Sequence, residues 1–204
     1  MIFYNSNVKL VFLTKILLIY FIFFTKSFSI ENNKIKNISE GNENAKIEIL
    51  VYESLTCSHC AAFHEKVYPD LKKNFIDKGL VKISFKSFPL DLAALNASKI
   101  AHCKNDGKSE ILHFLFEHQN KWVKGTTIQE VNNHLERFIN NQNFVLDFNK
   151  CINNESIENH ILEDRIEGVK KFNINATPTI IINNKKFEKP LNYKNLKKTL
   201  EKLI

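Results

Sequence analysis

The sequence predicts a layered α/β fold into which a long run of helices is inserted. Three observations support this class. Two strand-like segments, Lys46–Glu53 and Leu80–Phe88, flank a helix-like segment. A helical pattern then extends from Asp91 to Phe172, and a hairpin-like pair of strands and a last helix follow it. Strands that alternate with helices predict a sheet covered by helices, so we interpret the region 91–172 as an insertion into that sheet.

The first strand and the first helix follow from the spacing of apolar residues. Apolar residues partly alternate over Ile47–Tyr52, which predicts a buried strand. Beyond it, apolar residues recur every four positions, as on one face of a helix: Phe63, Val67, Leu71 and Phe75. We predict one helix over Cys57–Asp77, and we expect Pro69 to kink it because proline lacks the N–H that a helix interior needs.

The later elements have weaker but consistent signals. Within the helical region, Thr127 followed by Glu130 forms a capping box at the start of a helix. Two short extended segments, Thr179–Ile182 and Lys186–Glu188, are separated by two asparagines, which predicts a hairpin turn. The last helix has apolar residues at helical spacing, namely Tyr193, Leu196, Leu200 and Leu203.

The first 29 residues are typical of a secretion signal. They combine Lys9 and Lys15, the apolar run Ile16–Phe24 that follows them, and small residues at Ser27 and Ser29. That run is about half the roughly 20 residues that cross a bilayer, which favours a cleaved signal peptide over an uncleaved membrane anchor. We therefore divide the chain into a signal peptide (1–29), a polar lead-in (30–45) and one domain (46–204). We expect the mature protein in the periplasm.

The charge of the chain does not indicate a nucleic-acid partner. The formal charge is +7, and residues 1–29 hold three of the lysines and no acid, so about +4 remains after cleavage. The remaining lysines and acids are interspersed, which is typical of a solvated surface and not of a basic binding face.

The motif Cys57-Ser58-His59-Cys60 carries the chemistry. It lies where a predicted strand leads into a helix, and the free N–H groups and dipole of a helix N-terminus favour an anion. A free thiol has a pKa of about 8.5, and only the thiolate is a nucleophile, so Cys57 benefits from this position. His59 adds a second donor or a partial positive charge. The arrangement indicates thiol–disulfide exchange.

The chain has four cysteines, which permit three pairings, and all lie in the predicted mature part. The short spacing makes Cys57–Cys60 the natural pair and leaves Cys103 with Cys151. We expect a structural disulfide there, with two free thiols or a second redox pair as alternatives. A structural zinc site usually needs a second closely spaced pair, which the distant Cys103 and Cys151 do not supply, so we expect no metal.

A second motif, Thr177-Pro178, precedes the predicted hairpin, where proline is either an edge residue or part of a cis peptide bond. The order of elements, from the strand and the Cys-x-x-Cys helix through the helical insert to Thr-Pro, resembles the DsbA family of exported bacterial thiol:disulfide oxidoreductases. The resemblance extends from about Gly41 to the C-terminus and implies a thioredoxin fold with an inserted helical subdomain.

The resemblance implies a role for each motif. Cys57 is then the exposed nucleophile, Cys60 the resolving cysteine and His59 the usual histidine before it. Thr177 and Pro178 lie beside the cysteines and hold an extended substrate peptide. The implied substrates are unfolded or reduced exported proteins. The resemblance also implies that a DsbB-type membrane partner linked to quinones reoxidises the protein, and we expect no cofactor. The short lead-in indicates a monomer, because related isomerases carry an N-terminal oligomerisation segment.

Two departures from the family pattern matter. Many relatives carry a buried acid six positions before the first cysteine, where this chain has Val51, and Glu53 follows two residues later. Ser58 replaces a proline that is common in the motif. The alternatives are a disulfide isomerase or reductase on the same fold, and a non-catalytic chaperone or binding module. The other histidines are expected to be structural or solvated: His102, His113, His118, His134 and His160.

Overall fold

The computed structural model describes residues 34–204, in which five strands form one sheet. The strands are β1 (Ile38–Gly41), β2 (Ile47–Glu53), β3 (Val81–Ser87), β4 (Thr179–Ile182) and β5 (Lys185–Lys186). Their order across the sheet is β1-β3-β2-β4-β5. β2 and β3 run parallel, and every other neighbouring pair is antiparallel. The predicted signal peptide lies outside the described residues.

Helices pack around this sheet. They are α1 (Ser58–Lys66), α2 (Tyr68–Leu71), α3 (Leu92–His102), α4 (Glu110–Glu117), α5 (Gln119–Trp122), α6 (Ile128–Asn140), α7 (Phe148–Ile152), α8 (Glu155–Phe172) and α9 (Tyr193–Leu200). Helices α3 to α8 lie between β3 and β4 in sequence, so the predicted α/β class with a helical insert is confirmed. Thr127 caps α6 in a complete capping box with Glu130, as predicted. Within residues 34–204, no helix combines the length and hydropathy that a membrane crossing requires.

The helix predicted over Cys57–Asp77 is broken two residues before Pro69. Val67 separates α1 from α2, with a φ of −119° that departs from helical geometry. Pro69 then lies in the first turn of α2, where the N–H that proline lacks would have no helical partner in any case. The helical run ends in a π-helical turn at Lys72–Ile76.

Strand β1 lies within the polar lead-in predicted over 30–45, where the sequence predicts no regular element. It pairs antiparallel with β3 and buries Ile38 to 2% exposure. Its four residues include serine, glutamate and glycine, so no apolar alternation marks them in the sequence. At the other edge, Asn183 and Asn184 both have positive φ, which fits the predicted hairpin turn, although β5 is shorter and begins one residue earlier than predicted.

Strand β2 lies at the centre of the sheet and leads to the Cys-x-x-Cys motif. Ile47, Ile49 and Val51 are at most 1% exposed. Side chains of a strand alternate between its two faces, so Glu53 lies on the same face as Val51. Glu53 is 3% exposed. A carboxyl group therefore reaches the buried face on which Val51 stands in place of the acid that the resemblance leads one to expect.

Cys103 and Cys151 form a disulfide. Cys103 ends α3 and Cys151 lies in α7, so the bond joins two helices of the insert across 48 residues of sequence. We propose that its role is structural, as the sequence indicates.

Replacing both Cys103 and Cys151 by alanine is expected to lower the free energy of unfolding by about 4 kcal/mol, because the open loop regains entropy in the unfolded chain. Urea unfolding of the two proteins, both with Cys57 and Cys60 reduced, measures the difference. Under increasing dithiothreitol, Cys57–Cys60 should open before Cys103–Cys151. Equal reducibility of the two bonds would contradict the structural role.

Candidate active site

Cys57 lies at the N-cap of α1, directly after the loop that follows β2. Its N–H donates to the Ser54 carbonyl at 3.0 Å, and its own carbonyl accepts from the N–H groups of Cys60 and Ala61, each at 3.1 Å. A residue outside the loop also fixes it, because the Thr56 hydroxyl donates a hydrogen bond to Asp91 Oδ2 at 2.8 Å. The motif therefore has a fixed backbone, and its first sulfur sits at the helix N-terminus, as the sequence predicts.

The Cys57 thiol is half-buried, and both motif cysteines are reduced in this structure. Burial alone would raise the pKa of Cys57, but hydrogen bonding with the Thr177 side chain and with the N–H groups of Cys60 and His59 outweighs it and lowers the pKa below the ordinary thiol value. Hydrogen bonds to the charged form favour that form. Cys57 is thus poised to exist as a thiolate, which is the reactive species.

The Thr177–Pro178 peptide bond is cis, and the loop lies against Cys57. The Cys57 thiol donates to the Thr177 carbonyl, with 3.4 Å between sulfur and oxygen. The Thr177 hydroxyl is buried, has no other hydrogen-bond partner within residues 34–204, and favours the charged form of the Cys57 sulfur. The structure brings together the two motifs that are 120 residues apart in the sequence.

An open groove of about 440 Å³ adjoins this pair of motifs. His59, Thr177 and Pro178 line it together with Phe63 of α1, Val67 at the break between α1 and α2, and Tyr193 of α9. The His59 side chain is exposed, and its N–H contributes to lowering the pKa of Cys57. The groove can accommodate an extended peptide next to the reactive sulfur.

Cys60 differs sharply from Cys57. It is fully buried, at 0% exposure. Burial, and next the negative charge of Glu53, raise the pKa of the Cys60 thiol above its ordinary value. One sulfur of the motif is therefore accessible and easily ionised, whereas the other is enclosed and holds its proton.

Glu53 begins a row of hydrogen-bonded side chains that the sequence did not reveal. Glu53 Oε2 lies 2.8 Å from His64 Nε2, and His64 Nδ1 lies 3.0 Å from His113 Nδ1. His113 Nε2 lies 2.8 Å from Glu40 Oε1. We call these four residues the carboxylate–histidine row. His113, which the sequence places among the structural or solvated histidines, is one of its two central members.

Glu40 ends the row in a cluster of donors. Tyr68 and Lys72 donate to its carboxylate at 2.7 and 2.9 Å, and Ser109 also donates to it. Burial would raise the pKa of the Glu40 carboxyl, but the hydrogen bonds, that of His113 foremost, hold it well below its usual range. These groups come from β1, α2, the π-helical turn and the start of α4. Only tertiary structure brings them together.

Within the described part of the chain, no group of three His, Cys, Asp or Glu side chains is arranged to hold a metal ion. Near the disulfide, His102 is buried, and burial lowers its pKa to about 3. His102 therefore stays neutral and contributes to packing.

Comparison with known proteins places these features in a family. A family model described as thioredoxin matches residues 33–202. The crystal structure of alpha-DsbA1 from Wolbachia pipientis superposes with a TM-score of 0.73 at 29% identity, covering 82% of this chain and 90% of that protein. Disulfide bond formation protein D of Bacillus subtilis is 27% identical over 171 residues, which are 79% of this chain and 74% of the relative.

Relatives in Rickettsia are longer. A candidate protein-disulfide oxidoreductase of Rickettsia typhi is 26% identical over 161 residues, 77% of this chain and 57% of the relative. In the corresponding protein of Rickettsia conorii, the matched residues make up 52% of the relative's length. The chain thus spans a little more than half the length of these curated relatives.

Proposed function

The chain belongs to the thioredoxin family, as a DsbA-like member, and from this premise we propose that it is an exported thiol:disulfide oxidoreductase that introduces disulfide bonds into other proteins. The observation that carries the proposal is the asymmetry of the motif. Cys57 is accessible, with a lowered pKa, beside the cis-proline loop, whereas Cys60 is buried with a raised pKa. Such a pair suits a nucleophile and a resolving thiol.

The proposed reaction begins with the Cys57–Cys60 bond formed. A substrate thiolate attacks Cys57 Sγ, the bond between the two cysteines breaks, and its electron pair leaves on Cys60, which takes up a proton. A second substrate thiolate then attacks the substrate sulfur of the mixed disulfide and releases Cys57 as a thiolate. Two electrons pass from the substrate to the motif, and the substrate gains one disulfide.

The lowered pKa of Cys57 favours the oxidising direction. A thiolate stabilised by N–H groups of α1 stabilises the reduced protein, while the disulfide form has no charge to stabilise. Each 30 mV of potential corresponds to about 1.4 kcal/mol, which is also about one unit of pKa. A modest lowering of the Cys57 pKa therefore makes the protein a stronger oxidant.

Substrate proteins would dock as extended segments in the groove lined by Thr177 and Pro178, since the Thr177 carbonyl contacts the Cys57 sulfur. We further propose unfolded or reduced exported proteins as substrates, the periplasm as the location and a DsbB-type membrane protein as the oxidant that restores the Cys57–Cys60 bond. We propose that the protein acts as a monomer. These finer points follow from the family likeness of the site.

Oxidative refolding tests the proposed function against its alternatives. Mature protein with the Cys57–Cys60 bond formed is added in equimolar amount to a reduced, unfolded protein that contains several cysteines, and lost thiols are counted. We expect two substrate thiols to disappear for each molecule of protein. Slow thiol loss together with rapid repair of a scrambled substrate would instead indicate an isomerase. No effect on either substrate would indicate a binding module.

A further inference from the structure

The carboxylate–histidine row runs from Glu53, whose charge acts on the Cys60 thiol, to Glu40, which lines an open pocket. We propose that the row conducts protons between Cys60 and solvent, with His64 and His113 as its central positioning residues. This inference rests on the proposed function, since it concerns the proton that Cys60 gains and loses. The proposed proton path extends beyond the buried carboxyl group of Glu53, through His64 and His113 to Glu40.

The reaction needs such a path because Cys60 is fully buried. When substrate attacks Cys57, the departing Cys60 sulfur takes up one proton. When the motif is reoxidised, the Cys60 thiol loses one proton, and its thiolate attacks Cys57 Sγ of a mixed disulfide and expels the partner thiolate. Each cycle therefore moves one proton inward and one proton outward through the protein interior.

A count of the protons in its hydrogen bonds shows that the carboxylate–histidine row is suited to conduct protons. Its three hydrogen bonds, of 2.8, 3.0 and 2.8 Å, each require one proton. Two neutral histidines supply two of them, so the third is an excess proton. The excess proton can sit on Glu53, His64, His113 or Glu40, and in each case all three hydrogen bonds are kept. Shifts within these bonds thus carry a proton along the row.

The geometry fixes the two histidine rings. His64 stacks on Phe116 with 4.1 Å between ring centroids, and His113 stacks on Tyr68 at 4.3 Å. These packed aromatic neighbours hold the facing nitrogens in line, and an ordered row of this kind can pass protons between its hydrogen-bonded groups.

The two ends of the row differ in their surroundings. At the inner end, Glu53 Oε1 is buried and has no hydrogen-bond partner within residues 34–204, so it is free to exchange a proton with Cys60, whose pKa its charge already raises. Rotation of the Glu53 carboxyl group by half a turn then brings that proton to the side of Oε2, which is hydrogen-bonded to His64. At the outer end, Glu40 and His113 line an open pocket of about 450 Å³. A proton that reaches Glu40 leaves readily, since the carboxylate is held ionised.

Other charged groups face the row from the elements around it. Lys72 of the π-helical turn contacts Glu40, and Lys108 and Glu110 at the start of α4 line the same pocket. Cys60 of α1 and Tyr68 of α2 face its inner and outer parts. These groups surround the row but do not interrupt it.

The test follows the two steps of oxidation by oxidised glutathione in stopped flow, starting from the reduced motif. In the first step Cys57 forms a mixed disulfide with glutathione, and in the second Cys60 displaces it. We expect His113→Gln to slow the second step at least tenfold while the first step stays within twofold, as loss of proton transfer predicts. His134→Gln, which alters a histidine of α6 outside the row, should change neither step.

Imidazole rescue separates conduction from a structural role. His113→Ala leaves space next to the open pocket, and added imidazole should restore its second step, whereas an equal ionic strength of sodium chloride should not. An unchanged second step in His113→Gln, or no rescue of a slowed His113→Ala protein, would overturn the proposal. A wild-type protein that forms no mixed disulfide at Cys57 would instead refute the proposed function. If His113→Ala does not fold, the rate of the second step in His113→Gln decides alone. A slowed second step supports the proposal, and an unchanged one overturns it.

Discussion

Replacing Cys57 by alanine is expected to abolish thiol–disulfide exchange completely, because the variant loses the accessible sulfur that both substrate and oxidant must meet. The remaining motif thiol, Cys60, is fully buried and has a raised pKa, so it cannot take over this role. The rate of oxidative refolding should fall to that of the buffer. The fold should persist, since the Cys57 side chain is only half-buried.

Alkylation identifies the reactive form of Cys57. The rate of carboxamidomethylation by iodoacetamide should reach half its maximum at a pH below about 8.5, the pKa of a free thiol. The reason is the set of hydrogen bonds that lowers the pKa of Cys57. Cys57→Ala supplies the background rate. A midpoint at or above the ordinary thiol value would show that the N-cap position does not stabilise a thiolate.

The second large effect is expected from Cys60→Ala, which should stop the reaction at the mixed disulfide. This variant is mixed with a protein whose thiol has been activated as a disulfide with 2-nitro-5-thiobenzoate. Cys57 can attack that sulfur, but no resolving thiol follows. A covalent complex should accumulate and persist, visible by non-reducing electrophoresis and by mass, and it should be absent with the wild type.

The matched control is the double variant Cys57→Ala and Cys60→Ala, which should form no complex. A complex that decays as fast in Cys60→Ala as in the wild type would show that Cys60 does not resolve the mixed disulfide. Complexes formed equally by the double variant would show that the trapped sulfur is not Cys57.

Local patterns in the sequence predict the parts of the fold whose signals lie within one element. The apolar pattern of β2, the start of a helix at the Cys-x-x-Cys motif, the capping box at Thr127 and the turn at Asn183 and Asn184 are all of this kind, and the structure confirms them. The strand β1 is different. It has four residues with no alternation, and its place at the sheet edge is set by pairing with β3 and by burial of Ile38.

The same distinction holds for the site. Cys57, Cys60 and the Thr-Pro pair are short motifs whose chemistry is visible in the residues themselves. The carboxylate–histidine row is not, because its members come from β1, β2, α1 and α4, and Glu40 and His113 are 73 residues apart. Strand alternation does place Glu53 on the same face as Val51, but whether it finds a partner depends on how the helices pack.

The most direct test of the central claim is the equilibrium of the Cys57–Cys60 couple with glutathione, measured on the mature protein with Cys103–Cys151 intact. We expect a potential well above that of a cytosolic glutathione pool, which extraction places at about −220 to −260 mV. The lowered pKa of Cys57 stabilises the reduced protein fully above the ordinary thiol pKa, and this stabilisation is lost as the pH falls through the lowered value. The difference in reduction potential between the Cys57–Cys60 couple and glutathione should therefore become smaller at acid pH. A potential near or below that of the pool would contradict a disulfide-donating role and indicate a reductase or isomerase.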